Sequence, residues 1–179
     1  MDFNNTIVES NRKILEILNK KNNTFKTEEE FNSISDNEKA EIFESDAFYE
    51  GLEFKPGVLD VLNKYSSIYD FIIVSGGTEV NLKKIEKWIK VNLGDNIKFL
   101  GLRSFNKKKI NMENAIQVDD IFNCLKTNAM VKILYKSYND YPWQQPNTSN
   151  EYLAVNSWNE IDSILNFYHE YDCKTLKKR

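Results

Sequence analysis

Beyond Pro56-Gly57 the chain alternates short apolar runs with helical stretches, and this rhythm restricts the fold more than any other feature. Tyr69 to Val74 is a run of aromatic and β-branched residues that reads as a buried strand, and it ends abruptly at Ser75-Gly76-Gly77. Val58 to Tyr65 and about Glu79 to Asn92 read as helices, the second stopping near Gly94. Further strands are expected at Ile97 to Leu100, Ala115 to Val118 and Ala129 to Leu134, after which Tyr152 to Val155 and a helix from Trp158 to Tyr168 close the domain. Parallel neighbours need long crossovers, so strands separated by helices predict an α/β domain with a parallel sheet covered by helices.

The first quarter has a different texture. Ile14, Leu15, Ile17 and Leu18 fall on one side of a helix from Ser10 to Asn19, with Asn22-Asn23 as a stop. Thr27 followed by three glutamates reads as a capped helix start, and Ser35 with Glu38 forms a capping box ahead of a helix to Ser45. Lys136 to Glu151, rich in asparagine and holding Pro142 and Pro146, is expected to be a long surface loop.

A chain of 179 residues, 41% hydrophobic and 13% aromatic, suffices for one compact domain with a small appendage. Its net charge of −3 gives no overall positive field for nucleic acid or anionic lipid, and the lysines near the C-terminus read as a solvated basic tail. No apolar run approaches a membrane span, no segment reads as a secretory signal, and two cysteines without a pairing pattern fit a reducing cytoplasm. The lone His169 leaves chemistry to carboxylates, lysines and hydroxyls.

In parallel α/β sheets ligands gather at the carboxyl ends of the strands. Four segments qualify: Asp2 to Ile7, Ser75-Gly76-Gly77, Lys109 in the run Lys107 to Lys109, and Asp119-Asp120. Singly, these are a turn, a solvated lysine run and a helix cap. Together they supply a nucleophilic carboxylate, a hydroxyl with permissive glycines, a cation and a carboxylate pair for a divalent metal, which is an inventory for phosphoryl transfer.

This order resembles the haloacid-dehalogenase-like (HAD) superfamily, with its Asp-x-Asp-x-Thr loop, Ser or Thr, Lys and acidic pair. It is more narrowly similar to the 5'(3')-deoxyribonucleotidases over Ala47 to Ile164: Phe48-Tyr49-Glu50-Gly51-Leu52 before Pro56-Gly57, Glu86-Lys87-Trp88-Ile89, Lys109 ten positions before Asp119, and Ser157-Trp158-Asn159-Glu160-Ile161. The resemblance implies a Rossmann-like core formed by residues 1–9 and 47–170, a helical cap over 10–46 and a tail over 171–179. It implies that Asp2 forms an aspartyl-phosphate. Mg2+ would be held by Asp2, the Asn4 backbone and Asp119-Asp120, and phosphate by Ser75, Gly76 and Lys109. Phe48 or Tyr49 would either stack on a nucleobase or pack cap against core.

The chain departs from that pattern twice. Asn4 stands where the family has an acid/base aspartate, and losing general acid and base help slows such reactions by about 10²- to 10⁴-fold. The family's strand leading into the nucleophile is reduced to Met1, so the first core strand is expected to be missing or truncated, and a sheet open at its middle could pair with a second copy. Beside a truncated relic whose motifs persist by descent on a compromised fold, two readings follow. One is a slow, Mg2+-dependent, cytoplasmic phosphohydrolase acting on a (deoxy)nucleoside monophosphate or similar small phosphomonoester. The other is a catalytically inactive phosphate- or nucleotide-binding relative serving as sensor or interaction module.

Overall fold

In chain order the helices are α1 (Ser10–Asn22), α2 (Asp36–Glu44), α3 (Asp46–Tyr49), α4 (Val58–Tyr65), α5 (Glu79–Leu93) and α6 (Trp158–Leu176). The strands are β1 (Ile72–Gly76), β2 (Lys98–Leu102), β3 (Ile116–Asp119), β4 (Val131–Tyr135) and β5 (Leu153–Val155). These come from a computed structural model that describes residues 1–22, 34–103, 107–136 and 152–176. The helix expected over Thr27 to Asn32 and nearly all of the Lys136 to Glu151 loop lie outside the described residues.

All strand pairings named here are parallel, as the alternation predicts. β1 pairs with β2, with Ile72 opposite Lys98 and Gly76 opposite Leu102. β4 lies between β3 and β5, with Val118 opposite Ile133 and Tyr135 opposite Val155. The one sheet expected is thus two small parallel sheets, and Met1-Asp2 bridges them. The Met1 nitrogen donates to Ile72 O at 2.8 Å, Met1 O accepts from Val74 N–H at 2.8 Å, and Asp2 N–H donates to Val118 O at 2.9 Å. One residue bonds β1 and the next bonds β3, the alternation of a central parallel strand.

β1 starts later than its apolar run because Ile68 and Tyr69 still close the end of α4, their N–H groups donating to Tyr65 O. α6 continues through Leu176, so residues 171–176 are helix and not tail; no Gly or Pro after Tyr168 interrupts it. α4 has a wide apolar face through Val58, Val61, Leu62 and Tyr65 and packs on α6. At its start Gly57 sits at φ +85°, and a Cβ there would lie 3.2 Å from Trp158 Cβ. Both the left-handed backbone and the approach of Trp158 call for glycine.

α1, α2 and α3 pack together and α2 rests on α5. Their Ile14, Leu18, Ile42 and Phe48 join the same apolar core as Ile73, Ile85 and Ile133, so the helical appendage shares one interior with the sheets. Among the described residues no helix is long and apolar enough to cross a membrane.

Candidate active site

From Asp2 the chain enters a tight loop that the sequence builds from asparagines. Ile7 and Val8 N–H groups both donate to Phe3 O, at 3.0 and 3.2 Å. Asn5 takes the left-handed φ of +53°, a conformation asparagine tolerates better than most side chains. Its amide is fixed on both sides, Nδ2 donating to Asn11 Oδ1 at 2.9 Å and Oδ1 accepting from Asn11 N–H at 3.0 Å. Phe3 is fully buried edge-on to Trp88, and Trp158 Nε1 donates to Thr6 O at 2.9 Å, so the loop is clamped from both faces. Asn4 Oδ1 accepts from the Ser10 hydroxyl at 2.8 Å, which pins this amide to the start of α1.

Buried Lys107 closes the site. Its Nζ donates to Asp2 Oδ1 at 2.5 Å and to Asp119 Oδ2 at 2.7 Å, while Asp119 Oδ1 accepts from Ile121 N–H at 3.1 Å. Asp120 is buried beside them, and Asp2, Asp119 and Asp120 can each offer an oxygen within 4.8 Å of the others. Lys109, the lysine expected here, is exposed. The reason is local: Lys107–Lys109 forms a 3-10 turn, which places successive side chains about 120° apart. Lys107 faces inward, so Lys108 and Lys109 face solvent.

Three carboxylates share this buried space with the Lys107 ammonium, and the Met1 amino group lies near enough to interact with Lys107, Asp119 and Asp2, burial lowering it to about 6. Burial, helped by the Asp2 charge, pushes the Asp119 carboxyl up to about 6 despite Lys107 beside it. Burial with the Asp2 and Asp119 charges holds Asp120 well above the usual carboxylate range. Burial alone would lower the Lys107 ammonium, yet the two carboxylates outweigh it and the group is raised and stays charged. Asp2, Asp119 and Asp120 form an all-oxygen donor set that could hold a metal ion.

Ser75 and Gly76 are buried at the carboxyl end of β1, the end that carries Asp119 on β3, as expected. Phe48 is fully buried edge-on to Phe43 and Tyr49, which gives it the cap-to-core role and leaves no face for a nucleobase. Tyr49 is likewise occupied: its hydroxyl accepts from Asn81 Nδ2 at 2.9 Å and lies 3.1 Å from Phe43 O.

Sequence reading missed Lys107, because nothing in a run of three lysines marks which one turns inward. It also missed a buried ion pair, Lys55 Nζ to Glu9 Oε2 at 2.7 Å, which ties the end of the Asp2 loop to the segment before α4. A lysine between Phe54 and Pro56 was its only trace. No family model matches the chain, and no curated protein matches it.

Proposed function

We propose that this chain is a HAD-like phosphohydrolase of nucleotidase type, with a Rossmann-like core under a helical cap. It acts in the cytoplasm on a (deoxy)nucleoside monophosphate or similar small phosphomonoester and is slowed by Asn4. The observation that carries this reading is the Lys107 ammonium held between Asp2 and Asp119 with Asp120 adjoining, at the strand end where Ser75 also lies. A buried nucleophilic carboxylate, a fixed cation and a carboxylate pair are what phosphoryl transfer requires.

In this reading an Asp2 oxygen bonds to phosphorus as the ester P–O bond breaks, and the leaving alkoxide takes its proton from solvent water. Water then attacks the aspartyl-phosphate and releases phosphate. Lys107 orients Asp2 and neutralises phosphate oxygen charge, and Ser75 with the Gly76 backbone binds the phosphate. Mg2+, held by Asp2, Asp119 and Asp120 and by the Asn4 backbone, would offset the remaining negative charge. An amide at Asn4 neither donates a proton to the leaving oxygen nor takes one from water, so both half-reactions lack acid/base help.

The pinned Asn4 amide also favours a second reading, a phosphate- or nucleotide-binding protein that no longer turns over. One experiment separates the two: phosphate release from a panel of nucleoside monophosphates with Mg2+, comparing the native chain with Asn4→Asp and with Asn4→Asp/Asp2→Asn. Aspartate keeps the acceptor that Ser10 uses, so the loop geometry survives the change. A gain of about 10²-fold or more in Asn4→Asp, abolished by Asp2→Asn, supports the enzyme. Folded proteins that bind nucleotide with Mg2+ and release nothing support the binder.

A further inference from the structure

The first turn of α5 is where the Ser75-Gly76-Gly77 turn meets α2 and α3. Thr78 caps α5: its hydroxyl oxygen accepts from Asn81 N–H at 3.2 Å, and the hydroxyl donates to Glu44 Oε1, at the end of α2, at 2.5 Å. Asn81, only 5% exposed, makes a second tie. Its Nδ2 donates to Phe43 O of α2 at 3.1 Å and to the Tyr49 hydroxyl of α3 at 2.9 Å. The Tyr49 hydroxyl in turn donates to Phe43 O at 3.1 Å, so one buried amide closes a ring with the last turns of two helices.

The same amide leans on the turn. A Cβ built at Gly77 would lie 2.3 Å from Asn81 Oδ1 and 3.2 Å from its Cγ, closer than side chains pack. Gly77 does not take a positive φ, so space and not backbone conformation is what calls for glycine there. Gly77 is also fixed to the sheet, its N–H donating to Leu102 O at 3.0 Å. The turn therefore cannot shift toward α5 without pushing the amide that holds Phe43 and Tyr49.

We infer that Asn81 is a positioning residue that locks the Ser75-Gly76-Gly77 turn to α2 and α3, so that the turn and the two helices are placed together. Its functional consequence rests on the phosphate site proposed above: an anion held by Ser75 and Gly76 changes the setting of α2 and α3, and breaking the lock weakens the anion's hold. Asn81 acts through the turn and not on the phosphate. Sites that share one ordered element are coupled in both directions, typically by about 5- to 150-fold in affinity.

The test uses the whole chain and its variants Asn81→Ala, Gly77→Ala and the double variant, each shown to be folded by cooperative urea unfolding. Amide resonances are followed by two-dimensional NMR, alone and during titration with inorganic phosphate in the presence of Mg2+. Gly77→Ala is expected to displace the Phe43, Glu44 and Tyr49 resonances in the native background and to leave them in place when added to Asn81→Ala, where the atom its Cβ would strike is gone. Phosphate is expected to move the same three resonances in the native chain and not in Asn81→Ala, whose phosphate dissociation constant rises about tenfold. Equal displacement by Gly77→Ala with and without the Asn81 amide overturns the lock. So does phosphate binding that is as tight in Asn81→Ala as in the native chain. If the native chain binds no phosphate, the phosphate site itself fails, and the Gly77→Ala displacements alone decide the lock.

Discussion

Lys107 and Asp119 are twelve positions apart in sequence, and their side chains meet at 2.7 Å in a buried contact that also draws in Asp2. That ammonium is the hub of the site, and it separates the lysine that matters from its two neighbours.

Replacing Lys107 with methionine keeps the bulk of the stem but leaves Asp2 and Asp119 facing each other uncompensated. Urea denaturation without Mg2+ is expected to show a loss of roughly 3–5 kcal/mol, because breaking a buried pair strands a buried charge. Lys109→Met, at an exposed position, is expected to stay within about 0.5 kcal/mol. Equal effects at the two positions would remove Lys107 from the hub.

The raised Asp119 sets the pH behaviour. Its carboxyl is ordinarily near 3.8 and lies at about 6 in the fold, so the folded protein holds that proton more tightly than the unfolded chain. The Asp119 contribution therefore lowers metal-free stability as pH rises from about 3.8 to about 6, and is level above that. A Mg2+ ion bound as proposed must displace the same proton, so its stabilising effect should grow over this window. Thermal scans at about pH 5 and about pH 7.5 check the sign: added Mg2+ should raise the midpoint more at the higher pH. A larger shift at the lower pH would remove Asp119 from the metal site.

Glu9 and Lys55 form the second buried ion pair, with side chains 7% and 2% exposed. Lys55→Met alone and Glu9→Leu alone are each expected to destabilise by roughly 3–5 kcal/mol, whereas Lys55→Met with Glu9→Leu should recover most of that loss. A double-mutant cycle by chemical denaturation measures the coupling. Additive losses would mean that the pair's geometry contributes nothing.

Asn5 combines a left-handed backbone with a side chain bonded twice to Asn11. Asn5→Ala loses both and is expected to lower stability by about 1–3 kcal/mol, while Asn5→Gly keeps the backbone and should lose less. The order of the two urea midpoints is the readout, and a more stable alanine variant would place the strain elsewhere.

Much of this architecture was readable along the chain because it depends on local periodicity. The run ending at Ser75-Gly76 became β1, Ala115 to Val118 became β3 within a residue, and Ser35 caps α2 as its spacing with Glu38 implied. Asp119 and Asp120 were legible for the same reason, being the polar residues that end an apolar strand. Other features needed partners distant in sequence. Which of three adjacent lysines faces the acids is decided by a 3-10 turn and by where Asp2 stands, and Phe48 could stack or bury until Phe43 and Tyr49 packed against it.

By itself the sequence determined the alternation of strands and helices, the parallel pairing that alternation enforces, and the residue types at the strand ends, because hydrophobic period and turn chemistry act over a few residues. The tertiary structure decided that Lys107 bridges Asp2 and Asp119, that Lys55 meets Glu9, and that Met1-Asp2 joins the two sheets. Each depends on which distant groups must share buried space, where an unpaired charge or peptide group is too costly to leave.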